Sequence, residues 1–333
     1  NVRPAEIERG DDVEPLLALG NVLNGLMQEV EARDAEVGVP LGQLARNLGF
    51  EVEVLQGDWR RGVDTAQLEA RLAGDRAHSI KALCLVHNET STGVTSDIGA
   101  SREVLDAAQH PALLMVDTVS SLGCIEVRHD AWRADVTVSG SQKGLMMPAG
   151  LGFNAVSQKA LAASKNAQSP RAYFDWQAIL KLNEQGMFPY TPPANLFFGL
   201  QTSLDMLLGE GLAHVFARHQ RHAKAARAAV AAWGLETVAR RPEEYSPAVT
   251  AIFMPEGVDA DAFRAHVLRR FDMTLGNGLA QLRGRVFRIG HMGDFNDLSL
   301  MAVLSGVEMG LSEFGAPPLA SGVVAAMENL KQK

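Results

Sequence analysis

Short apolar runs alternate with helical patterns between about residues 40 and 165 of the chain. The apolar runs predict β-strands at 51–55, 80–86, 112–116, 135–139 and 151–156. Apolar residues that recur at three- and four-residue intervals predict helices at 66–74 and 98–109. This alternation indicates a mostly parallel sheet with helices on both faces, in which ligands bind outside the carboxyl ends of the strands.

The second half of the chain changes its pattern after a proline-rich loop at 184–193. A long helical pattern covers 195–233, with a break near 209–211. The predicted elements that follow are a strand at 248–253, a helix at 259–271, a strand at 285–289 and a helix at 295–311. We therefore expect an α/β fold with a mostly parallel central sheet in a large domain, residues 1–208, and a smaller C-terminal α+β domain, residues 209–333. Apolar spacing also predicts a helix over 11–35, without a recognisable site.

Composition narrows the class of protein. The net charge of −8 disfavours nucleic acid or an anionic membrane as a partner. No apolar run reaches the roughly 18 residues that a membrane-spanning helix needs, and the first residues lack the form of a secretion signal. The two cysteines, Cys84 and Cys124, lie in or beside apolar runs, so we expect buried thiols rather than a disulfide. Together these features predict a cytoplasmic protein.

Lys143 and Asp117 are the first candidates for chemistry. Asp117 ends the apolar run at 112–116, and Lys143 lies in the segment 139–144 after the strand at 135–139. A lysine amine beside a cationic ring can lose its proton and form an imine, and a carboxylate beside a pyridine nitrogen keeps that nitrogen protonated. The pair therefore indicates pyridoxal phosphate chemistry with two catalytic residues. A surface lysine and a helix N-cap are the alternatives that position alone leaves open.

Two further features support a ligand site. The segment from His87 to Gly93 follows the strand at 80–86, and its hydroxyl and amide groups can either reach a ligand or form an ordinary polar turn. Arg288 lies inside the predicted strand at 285–289, where an unpaired charge is costly. Its planar fork suits a substrate carboxylate, with a structural salt bridge as the alternative.

Other patterns in the sequence do not indicate a functional site. His219 and His222 share a helix face, but arginine and lysine neighbours indicate a solvated basic face rather than a metal site. We expect no metal. The glycine-rich signatures of dinucleotide-binding and phosphate-binding loops do not occur in the chain.

Three segments together resemble the class V pyridoxal-phosphate aminotransferases, and within them the serine–glyoxylate and alanine–glyoxylate branch: 86–94, 116–123 and 139–144. The segments 188–192 and 287–294 extend the resemblance, which covers about residues 40–325. It implies the pyridoxal-phosphate fold type I and a homodimer with active sites at the subunit interface. It also implies transfer of the amino group of a small amino acid, such as serine, alanine or aspartate, to glyoxylate.

The resemblance implies roles residue by residue. Lys143 would be the Schiff-base lysine, Asp117 would contact the pyridine nitrogen, Val119 would pack on the ring, and Thr90 would lie near the phenolic oxygen. The remaining implied roles are phosphate binding by Gln142, binding of the partner subunit's cofactor phosphate by Thr191, and binding of the substrate carboxylate by Arg288.

The N-terminal part departs from the family pattern. Family members carry a small-residue turn that opens a helix and binds the cofactor phosphate, followed by an aromatic residue that stacks on the ring. Neither is recognisable here, and we expect residues to be missing between about 8 and 40. Two alternatives to the aminotransferase remain: a lyase of the same fold, such as a cysteine desulfurase, which needs a mobile exposed cysteine, and an inactive form that cannot hold the cofactor.

Overall fold

A computed structural model describes residues 41–167 and 171–331 of the chain. The helix predicted over 11–35, the expected phosphate-binding turn and the gap between about residues 8 and 40 lie outside the described residues. Within the described ranges, no helix combines the length and the apolar character needed to cross a bilayer.

The order of elements alternates strands and helices and then becomes mainly helical. The strands are β1 (Ala82–Val86), β2 (Asn88–Glu89), β3 (Val94–Thr95), β4 (Leu113–Asp117), β5 (Val136–Gly140), β6 (Gly152–Val156), β7 (Val249–Phe253), β8 (Gly276–Asn277) and β9 (Val286–Gly290). The α-helices are α1 (Leu41–Asn47), α2 (Thr65–Gly74), α3 (Ile98–Ala107), α4 (Gln158–Asn166), α5 (Trp176–Asn183), α6 (Ala194–Glu210), α7 (Leu212–Trp233), α8 (Ala260–Phe271), α9 (Asp297–Glu313) and α10 (Gly322–Leu330). Short 3-10 helices occur at Ala172–Phe174, Pro242–Glu244 and Ala280–Leu282.

The larger sheet has the strand order β1-β4-β5-β6. β1 pairs in parallel with β4, and β4 with β5, whereas β6 runs antiparallel at the edge. The prediction of a mostly parallel central sheet is therefore confirmed. Val86, Asp117 and Val138 are register partners, so the carboxyl ends of three neighbouring strands meet at one edge.

Helices cover this sheet on both faces. Leu114 and Val116 of β4 pack with residues of α2 and α3 on one face, while Leu113 and Met115 pack with residues of α4 and α5 on the other. All four side chains are buried, and each contributes about 1.5–3 kcal/mol on leaving water. A strand that is apolar on both faces is typical of a sandwiched parallel sheet.

A second core lies in the C-terminal part of the chain. Its sheet has the order β7-β9-β8 with antiparallel pairing throughout. Residues of α7, α8, α9 and α10 pack with β7 and β9 in one apolar cluster, in which the rings of Phe263 and Phe287 lie 5.1 Å apart. This confirms the smaller α+β unit of the predicted fold.

The prediction of a strand at 51–55 is wrong, because these residues have no strand partner in the described part of the chain. Val54 is 48% exposed, and Glu53 forms an ion pair with Arg71 at 2.7 Å. Alternating apolar residues show that an extended segment could bury one face. A strand also needs a neighbouring strand that completes its backbone hydrogen bonds.

The remaining predicted elements occur within a few residues of their expected bounds, and the predicted break near 209–211 is the transition from α6 to α7 at Gly211 (φ 84°). The helices α1, α4, α5 and α10 and the short strands β2, β3 and β8 were not predicted. The helices α4, α5 and α10 begin at the N-cap residues Ser157, Asp175 and Ser321, whose side chains accept backbone N–H groups of the first turn.

Candidate active site

The candidate site begins at the edge where β1, β4 and β5 end. The backbone N–H of His87, just after β1, donates to the carbonyl of Asp117 at 2.9 Å. The N–H of Thr118 donates to the carbonyl of Val138 in β5 at 2.8 Å. The residues that follow these three strands therefore share one edge of the sheet.

Asp117 is held by the turn that follows it. Its Oδ1 accepts the backbone N–H of Val119 at 2.8 Å, and Val119 itself is buried. Residues 118–122 form turns and no α-helix, so the carboxylate caps a turn rather than a helix. Because one oxygen is anchored in this way, the direction of the half-buried carboxylate at the strand end is fixed.

Lys143 lies in the loop after β5, and this loop packs directly on the turn after Asp117. A Cβ atom at Gly144 would lie 2.3 Å from the carbonyl oxygen of Leu122 and 2.7 Å from Sγ of Cys124. A Cβ at Gly123, whose φ is +80°, would lie 2.7 Å from the carbonyl oxygen of Gly144. Backbone therefore touches backbone, and the half-buried Lys143 is brought close to the Asp117 turn.

The neighbouring Gln142 folds back over the end of β5. A Cβ at Gly140 would lie 2.7 Å from Oε1 of Gln142, so the side-chain amide lies directly against the strand end. Gln142 is half-buried at the same edge as Lys143.

The segment from His87 to Gly93 is more ordered than an ordinary polar turn, because it belongs to a hairpin of β2 and β3. Asn88 Nδ2 donates to Ser120 Oγ at 2.8 Å, and Ser120 Oγ donates to the carbonyl of Asn88 at 2.7 Å. Ser246 donates its N–H to the carbonyl of Gly93 at 3.0 Å. The hairpin thus joins the Asp117 turn to the C-terminal part of the chain.

Arg288 reaches this hairpin from β9. Its Nε donates to the carbonyl of Asn277 at 2.7 Å, and its Nη1 donates to the carbonyl of Thr90 at 2.8 Å. A Cβ at Gly276 would lie 3.0 Å from Cβ of Arg288 and 3.1 Å from its Nε. The guanidinium is therefore oriented by backbone carbonyls of two other segments. One of these carbonyls belongs to Thr90, so two of the candidate site residues are in direct contact.

Several buried polar atoms lie on the turns around this edge. Within the described ranges, Asn88 Oδ1, Thr92 Oγ1 and Ser121 Oγ are buried and have no hydrogen-bond partner. Unsatisfied buried polar atoms are rare and call for a ligand, an ion or water. The edge therefore combines an amine, a carboxylate, a guanidinium and unused hydrogen-bonding groups.

Thr191 is the one predicted site residue that is not joined to this edge. It is exposed on the loop between α5 and α6, and no hydrogen bond or ion pair among the described residues connects it to the strand ends. Aromatic side chains around it are exposed as well, including Phe188 and Tyr190. Its expected role involves a second subunit and remains a prediction.

Two buried histidines near the site, His87 and His291, lie in segments that the sequence marks, but no pattern in the sequence indicated a role for their imidazoles. Burial lowers the pKa of His87 to about 4 and that of His291 to about 3. His291 donates from Nδ1 to the carbonyl of Pro247 at 2.9 Å, while its Nε2 lies 2.9 Å from Oγ1 of Thr250. His291 follows β9 directly, so it holds the end of the strand that carries Arg288.

The prediction of a solvated helix face at His219 and His222 is wrong. Both side chains are fully buried in α7. His219 Nε2 accepts the N–H of Gly293 at 3.0 Å, and His222 Nε2 lies 2.9 Å from Oδ1 of Asp297. Their partners come from a segment more than seventy positions away, which covers the helix face and excludes water.

Both cysteines are unpaired thiols, as predicted. Burial raises the pKa of Cys84 and of Cys124 to about 12. Cys84 lies within β1 and Cys124 is buried beside Gly144. Neither is the mobile, exposed thiol that a cysteine desulfurase needs.

This chain resembles known proteins both in its sequence and in its fold. The model for "Aminotransferase class-V" matches residues 32–279. The chain is 47% identical to the serine–glyoxylate aminotransferase of Methylorubrum extorquens, over 95% of this chain and 80% of that protein. It is 43% identical to the L-aspartate–glyoxylate aminotransferase of Paracoccus denitrificans, again over 95% and 80%. The crystal structure of pyridoxamine–pyruvate aminotransferase from Mesorhizobium loti matches with a TM-score of 0.79 and 29% identity, over 96% of this chain and 82% of that one. The chain belongs to the class V aminotransferases.

Proposed function

We propose that this chain transfers the amino group of a small L-amino acid (serine, alanine or aspartate) to glyoxylate, giving glycine and a 2-oxo acid. The names of the relatives from Methylorubrum and Paracoccus support glyoxylate as the acceptor. The observation that carries the proposal is the packing of the Lys143 loop on the Asp117 turn through Gly144 and Gly123. This contact supports a role for an amine and a carboxylate at one strand-end edge.

The class V family depends on pyridoxal phosphate, which supplies an aldehyde for the amino group and an electron-withdrawing ring. The residues of the edge fit that cofactor, because buried polar atoms without partners lie in the hairpin of β2 and β3 and in the turn after β4. Lys143 would hold the cofactor covalently and, once released, would move the proton at the substrate Cα. Asp117 would keep the ring nitrogen protonated, and Val119 would pack against the ring.

Binding of the two substrates would share one residue. An amino acid and glyoxylate both carry a carboxylate, and Arg288 is oriented by Thr90 and Asn277 before either arrives. A preoriented guanidinium binds a carboxylate with less loss of side-chain entropy. The same arginine would therefore serve both half-reactions. Thr90 and Gln142 would contact the cofactor's phenolic oxygen and phosphate.

We also propose a homodimer. Large apolar side chains are exposed in the stretch from α5 to the start of α7: Leu180, Met187, Phe188, Tyr190, Phe198, Leu204, Met206, Leu208 and Leu212. A surface of this kind is typical of protein–protein contact. Thr191 lies within it and would reach the cofactor phosphate of the second subunit. We further propose that the boundary between the two domains lies near residue 208 and that the protein is cytoplasmic.

Addition of pyridoxal phosphate to the purified protein tests the function. A visible absorbance band from condensation with the lysine should form, and transamination of glyoxylate should follow. In Lys143→Ala the band should disappear and kcat should fall by about 1,000-fold or more. Lys159→Ala is the matched control, because Lys159 contacts the carbonyl of Ala112 at the opposite end of β4 and should behave as wild type.

An inactive protein would form no band in wild type or in Lys159→Ala, and that outcome would contradict the proposal. A screen of serine, alanine and aspartate with glyoxylate as acceptor then identifies the amino donor. These donors differ by a few atoms beyond the carboxylate, and single contacts worth about 1–3 kcal/mol decide between them.

A further inference from the structure

One face of α7 binds the segment that follows β9 through four hydrogen-bonding side chains, those of Arg218, His219, Arg221 and His222. We call residues 293–297, which end at the first residue of α9, the β9–α9 segment. Arg218 donates to the carbonyls of Gly293 at 2.8 Å and Phe295 at 3.1 Å. Arg221 makes a bidentate ion pair with Asp297 at 2.9 and 2.6 Å. These contacts fix the position of the β9–α9 segment against α7.

His219 makes the central contact of this face. Its Nδ1 lies 2.7 Å from the carbonyl of Val215, and its Nε2 accepts the N–H of Gly293 at 3.0 Å. A ring that donates from one nitrogen and accepts at the other is neutral. Burial, the largest cause, also lowers the pKa of His219, in agreement with the neutral form.

Gly293 transmits this contact to the lysine loop. Its φ is +79°, and a Cβ there would lie 3.1 Å from Cγ of Met146 and 3.9 Å from the carbonyl oxygen of Lys143. The β9–α9 segment is therefore wedged between α7 and the loop that carries Lys143. The carbonyl of Lys143 also accepts the N–H of Met146 at 2.9 Å, which closes the loop on itself.

We propose that His219 is a positioning residue for Lys143. It acts through Gly293, which it presses against the lysine loop, and it touches neither substrate nor cofactor. The inference rests on the proposed aminotransferase function, because only that function gives the position of the Lys143 amine its importance.

The expected consequence is confined to the lysine side of the site. Arg288 is held separately, by pairing of β9 with β7 and β8 and by the carbonyls of Thr90 and Asn277. Loss of the His219 contact should therefore slow the proton transfer by Lys143 and leave carboxylate binding by Arg288 nearly unchanged.

Two variants of His219 separate positioning from packing. His219→Phe fills the space without an acceptor, whereas His219→Gln keeps an acceptor for the Gly293 N–H. We expect His219→Phe to lower kcat by about tenfold or more, with KM for both substrates changed less than about threefold, and His219→Gln to recover most of the loss. His266→Phe, on α8 next to Glu313, is the control and should keep wild-type kinetics.

Amide hydrogen exchange of the cofactor-free protein gives a readout independent of activity. In His219→Phe, peptides that cover 143–147 and 291–295 should exchange about tenfold faster than in wild type, while peptides of α8 should not change. If His219→Phe folds poorly, Arg218→Gln replaces it, because it removes the hydrogen bonds to Gly293 and Phe295 from the same face.

The outcomes are distinguishable. Unchanged exchange at 143–147, a loss of kcat that His219→Gln does not recover, or a rise in KM without a fall in kcat would each overturn the role of His219. Absence of transamination in wild type would instead overturn the proposed function, and the exchange experiment would still decide whether His219 holds the lysine loop.

Discussion

The lysine side and the arginine side of the candidate site are held in different ways. Around Lys143, backbone packs on backbone, and a Cβ at Gly144 would lie 2.3 Å from the carbonyl oxygen of Leu122. Around Arg288, by contrast, the backbone carbonyls of Thr90 and Asn277 hold one side chain through hydrogen bonds. Backbone contacts cannot relax by a change of rotamer, whereas side-chain contacts can. We therefore expect substitutions on the lysine side to cause a large loss of folding stability, and substitutions on the arginine side to lower activity while the protein stays folded.

Substitution of Gly144 by alanine should produce the largest effect. A contact of 2.3 Å to a backbone oxygen and 2.7 Å to Sγ of Cys124 forces the Lys143 loop away from the Asp117 turn. We expect a loss of about 4 kcal/mol of unfolding free energy, or no folded protein, measured by urea denaturation. Gly74→Ala is the control, because a Cβ there meets nothing within 4 Å. A folded, active Gly144→Ala protein would contradict the rigid packing of the lysine side.

Arg288→Lys tests the arginine side. A lysine lacks the planar fork, so it cannot contact both Thr90 and Asn277 and also bind a carboxylate with two parallel hydrogen bonds. We expect kcat/KM for the amino acid and for glyoxylate to fall by about 100-fold, which corresponds to about 2.7 kcal/mol, with the cofactor band retained. Arg285→Lys, one position before β9, is the matched control. A loss for only one of the two substrates would show that they do not share Arg288.

Gly93→Ala tests the hairpin that joins the two sides. Gly93 has a φ of +70°, and a Cβ there would lie 3.1 Å from the carbonyl oxygen of Val249. Gly186 has the same φ, and a Cβ there meets nothing within 4 Å. We expect Gly186→Ala to cost about 1 kcal/mol of unfolding free energy from backbone strain alone, and Gly93→Ala about 2–3 kcal/mol. Equal losses in the two variants would show that the hairpin does not pack tightly on β7.

The central sheet and the lysine side could be predicted from the sequence because their signals are local. An apolar run followed at once by Asp117, and another followed by the Lys143 loop, fixed both the strands and their shared edge. Parallel pairing then brings Asp117 and the Lys143 loop to the same edge, since neighbouring parallel strands have their carboxyl ends side by side. The prediction of a strand at 51–55 was wrong because a local alternation of apolar and polar residues carries no information on a neighbouring strand.

The support of the site could not be predicted, because it depends on contacts between distant residues. His219 and His222 stand among charged neighbours in the sequence, which favours a solvated face, yet Gly293 and Asp297 cover them. The sequence shows that Arg288 is a charge inside an apolar strand and needs a partner, but its carbonyl partner at Thr90 is separated from it by 198 positions. The pattern of a helix shows which face is apolar, and it does not show which polar face a distant segment will desolvate.

The pH dependence of stability should show that buried neutral histidine supports the arginine side. Burial lowers the pKa of His291 to about 3, below its ordinary value near 6.5, so the unfolded chain binds a proton that the folded chain does not. The stability that His291 provides is therefore complete above about pH 6.5 and is lost as the pH falls toward about 3. Urea denaturation of wild type should show up to about 1.4 kcal/mol of extra loss per pH unit relative to His291→Gln between about pH 6 and 4. Because His87, with its pKa lowered to about 4, titrates in both proteins, it cancels from the comparison. Parallel curves for the two proteins would mean that His291 gains its proton in the folded state without penalty, and that the end of β9 is more open to water than its buried contacts with Pro247 and Thr250 indicate.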